Sequence, residues 1–264
     1  MPDDLALHVL DGGTLTLQHQ MVFLKGEFHP ITIPIPYFLI RHPAGNVLFD
    51  GGMQLDACRD PAAYFGAELV AVMNPQVTER QHVLAQLASI DVDPASVRYV
   101  VQSHLHFDHV GAVGHIPNAT FLVHRRELEY AAAPDWFADG YNARDLDHPG
   151  VTWETFDLDE ANAELDLYGD GALRLIFTPG HAVGLVALLV DLPGGAIILA
   201  GDAADTATHY AHRALPGLYL DGPALVRSID RLRRLERATD AALVIFGHDM
   251  EQWPALRRGR EAYV

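Results

Sequence analysis

Three histidines and one aspartate lie within six residues near the middle of the chain, in the segment His104-Leu105-His106-Phe107-Asp108-His109. This segment directly follows residues 97–102, whose β-branched and apolar side chains predict a buried strand. Imidazole and carboxylate groups are ligands for zinc and similar divalent ions. Because such groups are costly to bury without partners, their density here predicts a metal site rather than a packing motif.

Three further metal-competent side chains follow apolar runs later in the chain, and a glycine precedes each of them. They are found in Gly180-His181, Gly201-Asp202 and Gly247-His248. A glycine permits a tight turn and a close approach of the backbone to whatever lies at the site. Since ligands at the ends of neighbouring strands can converge on one edge of a rigid sheet, we expect all these groups to meet there.

Seven such groups exceed the number that one tetrahedral ion needs, so the sequence predicts two metal ions. In a bend that leaves a strand, alternate side chains can point to the same side, and the residues past the turn can face an adjacent position. The terminal ligands predicted for the first ion are His104, His106 and His181. Those predicted for the second ion are Asp108, His109 and His248. Asp202 is then free to bridge the two ions.

The elements that must position these groups alternate between sheet and helix along the chain. Apolar runs and a Pro43-Ala44-Gly45-Asn46 turn predict an initial antiparallel sheet. Later strands are predicted at 97–102, 172–178, 184–191, 196–200 and 242–246, and helices at 79–90, 124–133 and 222–237. The alternation indicates an α/β or α+β protein. Without a linker-like run or a short repeat, one compact domain over residues 1–264 is the simpler prediction.

Composition argues against several classes of partner. The chain has 18 Lys and Arg against 35 Asp and Glu, and the resulting formal net charge of −17 disfavours nucleic acid as a partner. The start, Met1-Pro2-Asp3-Asp4, lacks the basic region of a signal peptide, and the apolar runs are too short to span a bilayer. We therefore expect a cytoplasmic protein with no membrane partner, and the sequence leaves a homodimer open.

Residues 103–109, together with His181, Asp202 and His248, resemble the signature of the metallo-β-lactamase superfamily. The resemblance extends from residue 48 to residue 248. It implies an α+β fold, an αββα sandwich in which two mixed β-sheets pack between helices, with the metals at one edge. It also implies two divalent ions, zinc in the first place and manganese, iron or cobalt as alternatives. By position, Asp50 resembles an aspartate that supports the site from behind.

A narrower resemblance connects the chain to N-acyl homoserine lactone hydrolases, the quorum-quenching lactonases. It rests on the HLHFDH segment, the Ile33-Pro34-Ile35-Pro36 approach and the Gly201-Asp202-Ala203 turn. It implies a small acyl lactone as the substrate. The chain departs from these enzymes at Asp205, where they usually carry a tyrosine that holds the substrate carbonyl. Tyr210, farther along the chain, is the candidate to take over that contact.

The predicted reaction is ring opening by water that the two cations share and activate. Two cations lower the pKa of such a water to about neutral, which gives a hydroxide that attacks the lactone carbonyl. Asp108 is the catalytic candidate for proton delivery to the leaving ring oxygen. Met21, Phe23, Phe28 and Phe107 are the candidates for an apolar acyl-chain groove, and core packing explains them equally well.

Three alternatives follow from the same residues. The first is another hydrolase of this fold, acting on a thioester, β-lactam, phosphodiester or other ester, since one fold hosts many reactions. The second is a diiron electron-transfer oxidoreductase, which is disfavoured because the motif histidines are intact and the chain has no flavin domain. The third is a non-catalytic metal-binding protein, which the full set of seven candidate ligands disfavours.

Overall fold

Two mixed sheets form the centre of the computed structural model, which describes residues 5–132, 140–149 and 151–264. The strands of the first sheet are β1 (Ala6–Gln18), β2 (Pro30–Arg41), β3 (Asn46–Phe49), β4 (Val97–Val101), β5 (Thr120–His124) and β6 (Trp153–Phe156). Those of the second sheet are β7 (Glu164–Asp166), β8 (Leu173–Phe177), β9 (Val186–Leu192), β10 (Gly195–Gly201) and β11 (Leu243–Phe246).

The strands that precede the candidate ligands are β4 in the interior of the first sheet, β8 and β10 in the interior of the second sheet, and β11 at its edge. The first sheet has the order β1-β2-β3-β4-β5-β6, antiparallel up to β3 and parallel from β3 onward. The second has the order β11-β10-β9-β8-β7, in which β10 and β11 are parallel and the other pairs antiparallel. Both sheets are therefore mixed, as the family resemblance implies.

Helices cover the outer faces of the sheets. They are α1 (His19–Val22), α2 (Leu55–Arg59), α3 (Pro61–Phe65), α4 (Ala67–Met73), α5 (Val83–Ser89), α6 (Arg125–Ala131), α7 (Ala143–Leu146), α8 (Ala207–His212) and α9 (Gly222–Thr239). Short 3-10 turns occur at Pro94–Ser96 and Trp253–Ala255. Within the three described ranges, no helix combines the length and the apolar character that crossing a membrane requires.

The layers follow from the alternation of side chains along each strand. Phe38 of β2 faces the second sheet, in one apolar core with Leu175 of β8. The next residue, Leu39, points the other way and packs with Leu87 of α5. On the far face of the second sheet, Ile198 of β10 belongs to the core of helix α9. This is the αββα sandwich, and the predicted fold class is confirmed.

Helix α9 shows how the sequence specifies an element. Asp221 caps it by accepting a hydrogen bond of 2.9 Å from the backbone N–H of Ala224. Ile229 and Leu232 recur at helical spacing and are fully buried, and burial of each such side chain contributes about 1.5–3 kcal/mol. The helix ends where Asp240 adopts a left-handed φ of 48°. The prediction of a helix at 222–237 is thus confirmed, with two further residues at its end.

The predicted helix at 79–90 is shorter in the structure. The backbone N–H and the hydroxyl of Thr78 both donate to Oε1 of Gln81, at 3.0 and 2.6 Å. This arrangement closes a turn, and the regular helix α5 begins only at Val83. At the start of the chain, residues 1–4, on which the expectation of a cytoplasmic protein partly rests, lie outside the described residues.

Candidate metal centre

The seven candidate ligands all follow the ends of strands, and the two sheets contribute them together. The segment 104–109 follows β4 of the first sheet, whereas His181, Asp202 and His248 follow β8, β10 and β11 of the second. Gly180 has a φ of 140°, and a Cβ atom there would lie 2.3 Å from the backbone nitrogen of Leu225. Only glycine therefore lets the loop before His181 approach helix α9 so closely.

One carboxylate oxygen lies at the centre of the cluster. Oδ2 of Asp202 is 3.2 Å from Nε2 of His181 and 3.3 Å from Nε2 of His248. It is also 3.6 Å from Nε2 of His109 and 3.7 Å from Nε2 of His104. A carboxylate that four imidazole nitrogens surround in this way is placed to contact two adjacent ions.

The remaining ligand atoms fall into two groups on either side of Asp202. In each group the ligand atoms lie within 4.8 Å of one another. The first group is His104, His106 and His181. The second group is Asp108, His109 and His248. These are the two sets of terminal ligands that the sequence predicts.

The chemistry of this donor set fits divalent cations. Nε2 of His104, Nε2 of His109 and Oδ1 of Asp202 are buried and have no hydrogen-bond partner. Such orphaned atoms are costly unless a ligand satisfies them. Metal–nitrogen bonds of about 2.0–2.1 Å place atoms that share one ion roughly 3–4 Å apart, which is the spacing around Asp202.

Asp50 supports the cluster from behind. Its Oδ1 accepts the backbone N–H of Ser103 at 2.7 Å, and its Oδ2 accepts the Ser103 hydroxyl at 2.8 Å and Nδ1–H of His109 at 2.9 Å. The Ser103 hydroxyl in turn lies 2.9 Å from Nδ1 of His104. These contacts fix both imidazole rings with Nε2 directed into the cluster, the orientation that a metal ligand needs.

Backbone carbonyls orient two further histidines. Nδ1–H of His181 donates to the carbonyl of Leu218 at 3.2 Å, and Nδ1–H of His248 donates to the carbonyl of Pro34 at 2.8 Å. Each contact selects the tautomer whose Nε2 is free to bind a cation. The residues that provide these carbonyls lie on β2 and in the loop before α9, so the surrounding fold fixes the ligands.

The histidines divide into two electrostatic classes. Burial lowers the pKa of His104 and His106, and neighbouring imidazoles lower it further, so both are neutral and able to bind metal. Burial also lowers the pKa of His248, but Asp202 outweighs it and raises that pKa to about 10. The pKa of His109 is raised well above its usual value in the same way, since Asp202 and Asp108 outweigh its burial.

The carboxylates of the cluster also respond to their surroundings. Burial raises the pKa of Asp202, yet His248 and His109 hold it well below its usual value. Without cations, protons on these two histidines balance the carboxylates. Because metal ligands must be deprotonated, binding of divalent cations would release those protons and supply the positive charge instead.

Glu127 is a supporting residue that the sequence analysis did not single out. It is fully buried on α6, and its Oε1 accepts the Leu105 backbone N–H at 3.1 Å and the Tyr141 hydroxyl at 2.7 Å. Its Oε2 accepts the Gly184 backbone N–H at 2.9 Å. The side chain thus holds the ligand segment 104–109 against two other loops. The sequence carries one sign of this role: Glu127 and the apolar Ala131 are four residues apart and therefore lie on the same face of the predicted helix.

A pocket of about 210 Å³ opens above the cluster, and its walls are mainly apolar. The polar residues at its base are His106, Asp108, His181, Asp202, Asp205 and His248. The apolar and aromatic lining residues are Leu15, Leu17, Met21, Val22, Ile33, Met73, Phe107, Leu218, Tyr219 and Leu220. Of the predicted substrate-binding candidates, Met21, Phe107 and Asp205 are therefore at the pocket.

The other three candidates lie elsewhere. Phe28 is 85% exposed, and Phe23 stacks between His19 and His209 with ring centroids 4.7 Å away from each. The Tyr210 hydroxyl donates to Oε2 of Glu236 at 2.8 Å, and its ring is buried in the core beneath α9. Tyr210 is thus turned away from the cluster and does not replace the tyrosine that Asp205 displaces.

Comparison with known proteins agrees with this geometry. The family model of the metallo-β-lactamase superfamily matches residues 32–248. N-acyl homoserine lactonase AttM of Azorhizobium caulinodans is 42% identical over 263 residues, which cover 98% of this chain and 99% of that protein.

Two solved structures are similar in fold. A structure of an N-acyl homoserine lactone hydrolase, with the product N-hexanoyl-L-homoserine bound at its catalytic metal centre, has a TM-score of 0.86. It is 24% identical and covers 98% of each chain. The dizinc quorum-quenching lactonase AidC has a TM-score of 0.68 and 17% identity, over 95% of this chain and 89% of that one.

Proposed function

The chain belongs to the metallo-β-lactamase superfamily, and we propose that it is a metal-dependent hydrolase that opens the lactone ring of N-acyl homoserine lactones. The observation that carries this proposal is the seven-residue cluster at the base of a largely apolar pocket. The 42% identity to an N-acyl homoserine lactonase along nearly the whole chain supports the choice of substrate.

We infer that the cluster holds two divalent ions, with zinc as the first candidate and manganese, iron and cobalt as alternatives. His104, His106 and His181 would hold one ion, and Asp108, His109 and His248 the other. Asp202 would contact both. When bound, two such ions supply Lewis acidity and activate water at neutral pH, so the reaction needs no serine or cysteine nucleophile.

The residues of the chain bind the substrate, orient it and move protons. Apolar side chains such as Leu15, Ile33 and Met73 favour an acyl chain, because its burial removes apolar surface from water. Oδ1 of Asp108 is 3.8 Å from Nε2 of His109, and its Oδ2 is 3.9 Å from Nε2 of His248. Asp108 also lines the base of the pocket, where its carboxylate can take up the proton that the attacking water loses and pass it to the departing ring oxygen.

The reaction consumes one water and releases one proton. The water oxygen bonds to the ring carbonyl carbon while the ring C–O bond breaks, and the ring oxygen takes up a proton to become the hydroxyl of an N-acyl homoserine. The new carboxylic acid is ionised at neutral pH, as side-chain carboxyls are. Turnover therefore acidifies the solution in proportion to the lactone that is opened.

A pH-indicator assay tests the proposal directly. We expect the purified, metal-analysed protein to release protons faster with a long-chain acyl homoserine lactone than with a thioester or a cephalosporin. A chelator should abolish this activity, and added metal should restore it. Metal-dependent turnover of the thioester or the cephalosporin but not of the lactone would replace this proposal with another hydrolase of the same fold.

A further inference from the structure

Asp205 adds a third carboxylate to the base of the pocket, beyond the seven candidate ligands. It lies three residues after Asp202 and is only 7% exposed. One of its oxygens lies within 4.8 Å of ligand atoms from both His181 and Asp202, the same spacing that defines the two ligand groups. By position and distance, Asp205 is part of the cluster.

The surrounding residues leave one oxygen of this carboxyl group without a hydrogen bond. Its Oδ1 is buried without a hydrogen-bond partner, whereas its backbone carbonyl accepts the N–H of His248 at 2.8 Å. The backbone contact fixes the residue beside the cluster, and the side chain faces the pocket. Since a buried carboxylate is costly unless it is paired or coordinates a metal, the orphaned oxygen points to a cation as its partner.

Charge balance leads to the same conclusion. Two divalent ions bring four positive charges, and histidines bind metal in their neutral form, so the carboxylates of the protein are the side chains that offset this charge. Asp108 and Asp202 balance two of the four charges. Asp205 reduces the remaining excess by one, in a region where low polarity strengthens every charge interaction.

We propose that Asp205 is an eighth metal-holding residue, acting on the ion of the His104, His106 and His181 group. It increases retention of that ion and favours manganese, iron or cobalt relative to zinc. An added carboxylate oxygen raises the coordination number above the four that zinc prefers, and carboxylates suit manganese. The inference rests on the two-ion site proposed above but not on the identity of the substrate.

The test compares Asp205→Asn with Asp249→Asn. Asp249 is also buried beside His248, but its oxygens accept backbone N–H groups of Ala207, Glu251 and Gln252. Both substitutions replace a carboxyl group by an amide near the cluster, and only the first removes an oxygen without a hydrogen-bond partner from the pocket. Metal content is measured during titration with a competing chelator, without substrate.

We expect Asp205→Asn to release one of its two ions at about 10- to 100-fold lower chelator concentration than the unsubstituted chain. Asp249→Asn should retain both ions and lose stability of the fold instead, because its NH₂ group must face a backbone N–H. In the cobalt-loaded protein, the visible absorption of Asp205→Asn should intensify, because the bands of cobalt strengthen as its coordination number falls. The affinity for manganese, relative to the affinity for zinc, should fall in the same variant.

Two variants with larger side chains separate ligation from packing. Asp205→Glu keeps the carboxylate and should retain the ion, whereas Asp205→Tyr should lose it as readily as Asp205→Asn. Equal retention and identical cobalt spectra in Asp205→Asn and the unsubstituted chain would overturn the inference, and so would equal losses in Asp205→Asn and Asp249→Asn. The lactone assay on the same samples reports separately on the proposed function.

Discussion

Asp202 differs from the other candidate ligands because its Oδ2 lies between the two groups. It is 3.2 Å from Nε2 of His181 and 3.6 Å from Nε2 of His109, which belong to different groups. In the proposed two-ion site, loss of this carboxylate would remove a shared ligand and leave two mutually repelling cations without the anion between them. Loss of His109 removes a ligand from one group only.

We predict that Asp202→Ala and His109→Ala each lower the metal content from two ions towards one per chain. Lactonase activity should fall by at least about 100-fold, since even partners that merely orient metal ligands contribute 10- to 100-fold. Elemental analysis of the purified variants measures the first effect and the pH-indicator assay measures the second.

Asp91→Ala is the control for these two substitutions. Asp91 is an exposed aspartate that pairs with Arg260 on the surface, and exposed pairs contribute about 0–1 kcal/mol. This variant should keep two ions and full turnover. If both Asp202→Ala and His109→Ala keep the metal content and the turnover of the unsubstituted chain, these residues do not hold the ions and the proposed dinuclear site is wrong.

Single residues also show which features of the site the sequence could predict. The convergence of the candidate ligands was predictable because each combines a metal-competent side chain with the end of an apolar strand. Two of the apolar candidates, Met21 and Phe107, line the pocket. The rest of its walls were not predictable, because an apolar side chain near the site in sequence serves a core or a pocket equally well. Leu15 and Ile33 line the pocket from β1 and β2, whereas Phe28, a candidate by neighbourhood, is exposed.

Among the elements, strands were more predictable than helices. The predicted strand at 172–178 is β8, and the one at 196–200 is β10. Their apolar runs are bounded by glycines and polar residues, which mark strand ends clearly. The short helices α2, α3 and α4 carry too few turns for a periodic pattern, and no prediction covered them.

Helix α6 contacts the segment 104–109 through Glu127, which also holds the loop at Gly184. In Glu127→Gln, one end of the amide must turn its NH₂ group towards a buried backbone N–H, either of Leu105 or of Gly184. A buried donor that faces another donor costs about 1–3 kcal/mol. We expect the unfolding free energy to fall by this amount and the affinity for metal to fall as well.

Glu129→Gln is the matched control, because Glu129 lies on the same helix but is exposed. Denaturant unfolding measures the stability of both variants, and chelator titration measures their metal affinity. If Glu127→Gln binds metal as tightly as Glu129→Gln does, Glu127 stabilises the fold without positioning the ligand segment.

For the whole molecule, the important feature is that both sheets contribute to one cluster. The apolar core between the sheets joins them along their faces, as in the contact of Phe38 with the residues around Leu175. The candidate ligands join them again at one edge. A single domain over residues 1–264, a cytoplasmic location and a homodimer stay predictions.

Because the cluster spans both sheets, metal binding should stabilise the whole fold. An ion at a free concentration of about 100 times its Kd adds about 2.7 kcal/mol to the stability of the state that binds it. In a chain of this size, each kcal/mol shifts Tm by about 2–4 °C. We therefore predict that removal of one such ion lowers Tm by roughly 5–10 °C, which calorimetry with and without chelator measures.

Asp202→Ala separates the stabilisation of the fold by bound metal from a direct effect of the chelator on the protein. A chain that lacks the shared carboxylate holds fewer ions, so the chelator should lower its Tm less than it lowers that of the unsubstituted chain. Added metal should restore the Tm of the unsubstituted chain. If the metal-loaded and the metal-free forms unfold at the same temperature, metal binding does not add to the stability of the fold. The apolar core between the sheets then holds the two sheets together without help from the metal site.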